Sequence, residues 1–107
     1  MVKEEVGTME NMRKELSIRE LEKKANEIRQ DIIRMLLAAG SGHSAGPLGM
    51  ADIFTALYFR VLKHDPQRPN WSERDRLILS NGHIVPVRYV TMMHAGYIDK
   101  KHLLTLR

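Results

Sequence analysis

Residues 50–62, Met-Ala-Asp-Ile-Phe-Thr-Ala-Leu-Tyr-Phe-Arg-Val-Leu, are apolar on nearly every side, interrupted only by Asp52, Thr55 and Arg60. A helix of this kind buries most of its surface and needs neighbours to do so. In a chain of 107 residues the partner surface is short. The stretch therefore expects more protein around it than this chain supplies.

One neighbour is plain. Ile18, Leu21, Ala25, Ile28, Ile32, Met35 and Ala39 recur at alternating steps of three and four, which is one face of a helix. Ser17 and Glu20 have the spacing of a capping box, and Gly40 supplies the left-handed stop. Residues 1–16 lack such a period and read as a flexible lead-in before a domain over 17–107. Further on, "KHDPQRPNWSERD" carries two prolines and no period and reads as loop. "RLILS" (76–80) reads as a short β-strand ending in an Asn-Gly-His turn. Pro86 suits the first turn of a helix that stops at Gly96, and Asp99 suits the cap of a last helix from Lys100. One strand makes no sheet, and a strand–turn–helix unit is half of a βαβ crossover. The expected class is therefore α/β, mostly helical here, with one strand of a larger parallel sheet.

Composition narrows the function classes. The net charge is +4, but basic and acidic residues alternate across the first 34 positions, as on a solvated helix face. Aromatic residues make up 6% of the chain and do not interleave with basic ones, so nucleic-acid binding has little support. There is no cysteine, which excludes disulfides and thiolate metal sites. The N-terminal stretch lacks the apolar core of a secretory signal, and no apolar run approaches the ~18 residues of a membrane span. A cytoplasmic location is expected, with no membrane or nucleic-acid partner.

The five histidines, at 43, 64, 83, 94 and 102, give neither an HExxH motif nor any i, i+4 pair. His64 reads as a C-terminal helix residue favoured by the macrodipole, and His94 and His102 as surface or partly buried helix residues. His43 and His83 differ. His43 sits in "GSGHSAGPLGM" (40–50), where four glycines and a proline forbid a regular element and permit close approach. His83 ends the predicted strand, beside Gly82 and just before a helix start. Loops at strand ends and helix N-termini suit anions. The two histidines either converge on one phosphorylated ligand or only hydrogen-bond within their own turns.

The pieces in order are "SGH" with "GPLGMADI", then "HDPQRPNWSERDRLILSNGH", then a helix ending in "GY". From about Leu21 onward the chain resembles the N-terminal part of transketolases, most of all the subunits of enzymes split into two chains. The resemblance implies the opening portion of a thiamin-diphosphate-binding fold, a parallel sheet flanked by helices. It implies a transferase of carbohydrate metabolism that moves a two-carbon ketol unit between sugar phosphates, the cofactor doing the covalent chemistry. His43 matches the family's histidine at the substrate, which helps move the proton at the reacting hydroxyl, and so carries both a catalytic and a substrate-binding expectation. His83 matches the histidine lying against the cofactor.

Two departures accompany it. The family loop reads His-Pro-Gly, whereas here it is His43-Ser44-Ala45-Gly46-Pro47. Arg88 stands where many relatives carry small residues. The Gly-Asp-Gly signature and later asparagine that hold magnesium and the diphosphate have no match in the sequence, and the activating glutamate belongs to another domain. The resemblance therefore implies an incomplete thiamin-diphosphate domain over 17–107, with Mg²⁺ ligands outside this chain. Its expected partners are a C-terminal transketolase subunit and a homo- or hetero-oligomer. The alternative is a non-catalytic assembly module docking on another transketolase-type subunit.

Overall fold

The computed structural model describes residues 16–104 apart from Ser41 and His43. Helix α1, Ile18–Ala39, begins at the expected capping box: Glu20 N–H donates to Ser17 Oγ at 3.2 Å, and Ser17 N–H donates to Glu20 Oε1 at 2.9 Å. Gly40 ends it at φ 72°, its N–H reaching the carbonyls of Leu36 and Leu37. Residues 1–15 of the expected lead-in lie outside the described residues.

Residues 40–50 were expected to hold no regular element, but Ala45–Gly49 closes into a short helix, α2; the apolar stretch then forms α3, Ala51–Ala56, and a π-helical turn, Leu57–Val61. In that turn Leu62 N–H reaches back five residues to the Leu57 carbonyl at 2.7 Å. Helix α4, Val85–Ala95, carries Pro86 in its first turn and stops at Gly96, φ 100°. The core lies between α1, α3 and α4. Ile28, Ile32, Met35, Ala51, Phe54, Tyr58, Ile84, Val87, Val90 and Met93 are all buried there. Two buried threonines keep their hydroxyls satisfied inside their own helices, Thr55 on the Ala51 carbonyl and Thr91 on that of Val87.

Three further expectations need correction. Ile18 lies on the predicted inward stripe but is 65% exposed. A 22-residue helix runs about 33 Å and α4 only about 16 Å, so the middle of α1 is covered and its first turn is not. Residues 76–80 are extended, with Leu77 and Leu79 half-buried and Ile78 87% exposed, but no strand forms among the described residues. Side-chain alternation needs only an extended chain, whereas a strand needs a neighbour to bond. Beyond Asp99 the described residues form a 3₁₀ turn, Lys100–His102, where a helix was expected, and residues 105–107 lie outside the described residues; Asp99 does cap the turn, accepting from Lys101 N–H at 2.9 Å.

The loop from Lys63 to Asp75 is pinned at both ends. Lys63 N–H donates to Asp75 Oδ2 and Asp75 N–H to the Lys63 carbonyl, each at 2.7 Å. Asp65 accepts from Gln67 N–H and from Arg68 Nε inside it. Trp71 carries two cations on its ring, Lys63 at 5.3 Å and Arg68 at 5.0 Å from the centroid.

Candidate functional site

The glycine-rich loop starts where α1 stops. Gly42 has φ 131°, a backbone conformation that calls for glycine; a Cβ there would also come within 2.6 Å of the movable end of the Leu36 side chain. His43 lies outside the described residues; Gly42 and Ser44 on either side of it are exposed. Helix α2 follows at once. Pro47, the displaced proline of this loop, is fully buried in it, inside the first turn, where a missing N–H costs no helical bond.

The second loop is the Asn-Gly-His turn. The Asn81 side chain accepts from His83 N–H at 3.0 Å and caps a 3₁₀ turn, Gly82–Ile84, that leads straight into α4. His83 is exposed, and among the described residues, its chain neighbours aside, nothing lies within 4 Å of where a Gly82 Cβ would be.

What joins the loops is Gly46. A Cβ on Gly46 would stand 2.8 Å from Ile84 Cγ2, the residue directly after His83. Helix α2 packs on both the Gly82–Ile84 turn and α4. The element following the His43 loop thus seats on the turn carrying His83. The glycine count in the sequence pointed to close approach of a ligand, but at Gly46 the approaching group is Ile84, and no local signal names that partner.

Two other histidines have partners in the interior. His64, just past the π-helical turn as expected of a helix-end histidine, is buried. Its Nε2 donates to the Tyr58 carbonyl, which can only accept, so in the neutral ring Nδ1 accepts from the Tyr97 hydroxyl. Burial, reinforced by Tyr58 and Asp65, pushes the Tyr97 phenol up to about 12, which keeps that hydroxyl a donor. His94 has a side chain only 2% exposed and meets Asp31 of α1 at 2.6 Å. His102 lies on the exposed final turn.

A cavity of about 410 Å³ opens between the 74–78 segment and the helices, with Tyr58, His64, Arg74, Arg76, Arg88 and Tyr97 among its lining. Among the described residues, neither His83 nor any residue of the glycine loop lines it. Burial raises the Tyr58 phenol there, opposed by Arg88. Among the described residues no three histidine or acidic side chains gather as a metal site would require, and no helix is long and apolar enough to cross a membrane.

The family model described as the thiamine diphosphate binding domain of transketolase matches residues 21–106. The chain belongs to the transketolase family. It is 41% identical over 87 residues to the 6-deoxy-6-sulfo-D-fructose transketolase subunit SqwG of Clostridium sp. (strain MSTE9), covering 81% of this chain and 32% of that protein. It is 45% identical over 73 residues to transketolase 1 of Escherichia coli (strain K12), covering 68% of this chain and 11% of the relative. Transketolase of Buchnera aphidicola subsp. Acyrthosiphon pisum (strain APS) matches over the same length at 48%. The chain thus spans about a third of the first relative and about a tenth of the others. The described residues form helices and no sheet, which is consistent with a part of the α/β thiamine-diphosphate fold.

Proposed function

We propose that this chain contributes the His43 and His83 loops to a thiamine-diphosphate-dependent transketolase that moves a two-carbon ketol unit between sugar phosphates. The observation carrying this reading is the contact of Gly46 with Ile84, which seats the helix after the His43 loop on the turn that holds His83. The donor set fits the cofactor in part. An exposed histidine in a glycine turn at a helix start suits contact with an anionic group, whereas the described residues offer no carboxylate cluster for Mg²⁺. The metal ligands therefore come from the rest of the domain or a partner subunit.

Thiamine diphosphate, when bound, supplies the reactive carbon. This chain's residues would then do two things. His83, held by the Asn81 cap, would orient against the cofactor. His43 would take and return the proton at the substrate hydroxyl, a role worth roughly 10²–10⁴-fold in rate.

A second reading is an assembly module that docks on a transketolase-type subunit without catalysing. The exposed Ile53, Val61 and Ile78 favour it, since a free chain gains by covering them. Calorimetric titration with thiamine diphosphate and Mg²⁺ separates the readings. The isolated chain should bind negligibly, and adding a polypeptide with the remainder of the domain should restore binding. In that assembly His83→Ala should weaken cofactor affinity most and His43→Ala should lower turnover most. Unchanged affinity and turnover in both variants would leave only the docking role.

A further inference from the structure

Four asparagines occur in the chain, at 11, 26, 70 and 81, and Asn81 alone is followed by glycine. Both Asn81 and Gly82 are exposed. No side chain crowds the Gly82 nitrogen from its own residue, and no hydrogen bond holds its N–H among the described residues. The other described asparagines differ. Asn26 and Glu27 both lie inside α1, whose ladder takes the Glu27 N–H. Asn70 precedes bulky Trp71, whose N–H is held by the Arg68 carbonyl at 3.0 Å.

A main-chain nitrogen that reaches the preceding asparagine side chain can displace its ammonia. Here the Gly82 nitrogen would bond to Asn81 Cγ and give its proton to water, while the Cγ–Nδ2 bond breaks and Nδ2 leaves as ammonia. The product is a five-membered cyclic imide. Water then opens the ring on one side of the imide nitrogen or the other. Breaking the bond to Cγ leaves aspartate, and breaking the bond to the Asn81 main-chain carbonyl carbon leaves isoaspartate. In sum one water is consumed and one ammonia released, with no oxidant or reductant.

The native turn holds the reacting atoms apart. Ring closure needs the Gly82 nitrogen on the same side as Asn81 Cβ, whereas ψ 100° at Asn81 turns it away. Asn81 Oδ1 is also tied to His83 N–H at 3.0 Å. The ring can therefore close only after this cap is broken and the turn has opened locally.

We propose that Asn81–Gly82 is a deamidation site latched by its own cap, at which Asn81 converts to aspartate and isoaspartate whenever the turn opens. Either product sets a carboxylate two residues before His83. The isoaspartyl form also adds a carbon to the main chain within the turn that leads into α4. The proposal stands independently of the function proposed above.

Incubation of the whole chain in mildly alkaline buffer, followed by trypsin digestion and mass spectrometry, tests this. Cleavage after Arg76 and Arg88 isolates residues 77–88, in which Asn81 is the sole asparagine. That peptide should gain about 1 Da and separate into aspartyl and isoaspartyl forms, while Asn26 and Asn70 keep their amides. In guanidinium chloride the latch is gone, and the loss at Asn81 should run roughly fivefold faster or more. Gly82 has no positive φ, and a Cβ there meets nothing within 4 Å among the described residues, its chain neighbours aside, so Gly82→Ala suits the turn. Its methyl should slow the loss severalfold, in denaturant as well as in buffer, by crowding the nitrogen. An Asn81 that keeps its amide in guanidinium chloride, or loses it equally fast in the variant there, overturns the site. Equal wild-type rates in buffer and denaturant overturn the latch, and that comparison needs no variant to fold.

Discussion

Helix α1 and the extended segment 76–80 are both rich in apolar residues, yet one is complete and the other is not. In α1 each end is closed from within the helix's own neighbourhood, by Ser17 and Glu20 at the start and Gly40 at the stop. Its buried stripe meets α3 and α4. Segment 76–80 has no such closure. It is extended, with Ile78 facing out, and apart from the Leu77 carbonyl, which accepts from Arg88 Nη2 at 3.3 Å, its backbone groups have no partner among the described residues. A helix makes its hydrogen bonds locally, whereas a strand takes them from elsewhere in the protein.

The sharpest way to break the comparison is inside α1. Ile32 is fully buried and Gln30 is exposed. Ile32→Asp should cost several kcal/mol, because it buries an unpaired carboxylate, while Gln30→Asp should stay within about 0.5 kcal/mol. Thermal melts of the two variants check this, and equal losses would refute the assigned face. A smaller effect is expected at the cap: Ser17→Ala removes the acceptor for Glu20 N–H and should cost about 1 kcal/mol in the same melts. The smallest should be Ile78→Ser. Stability should move by less than about 0.5 kcal/mol, since the side chain is 87% exposed, but sedimentation should show less self-association. A large loss of stability at Ile78 would mean that the segment is part of the core after all.

The same contrast explains what could be read from the residues alone. The start of α1, its stop at Gly40, and Pro86 and Gly96 bounding α4 were legible, because each signal acts within a few residues. The capping role of Asp99 was legible for the same reason. Burial of His64 and His94 was not. Nothing next to His94 in the chain marks Asp31 as its partner, and nothing near His64 marks Tyr97. Ile18 fitted the stripe, but how far α4 reaches along α1 is a matter of tertiary length. At the candidate site the sequence singled out His83 and its turn, while the Asn81 cap and the seating of Gly46 on Ile84 emerge only in three dimensions. His43 rests on sequence resemblance alone, since it lies outside the described residues.

Trp71, the single tryptophan of the chain, lies between Lys63 and Arg68 in a loop tied shut by Lys63 and Asp75. That arrangement is a built-in optical probe. Indole emission responds to nearby charge and to water, so the fluorescence of the unlabelled protein reports whether this loop is closed. Because Arg74 and Asp75 also line the cavity, any partner that settles against the 74–78 segment disturbs the strap holding the indole. Docking of a partner on that segment can therefore be followed by the emission of one residue, without a tag.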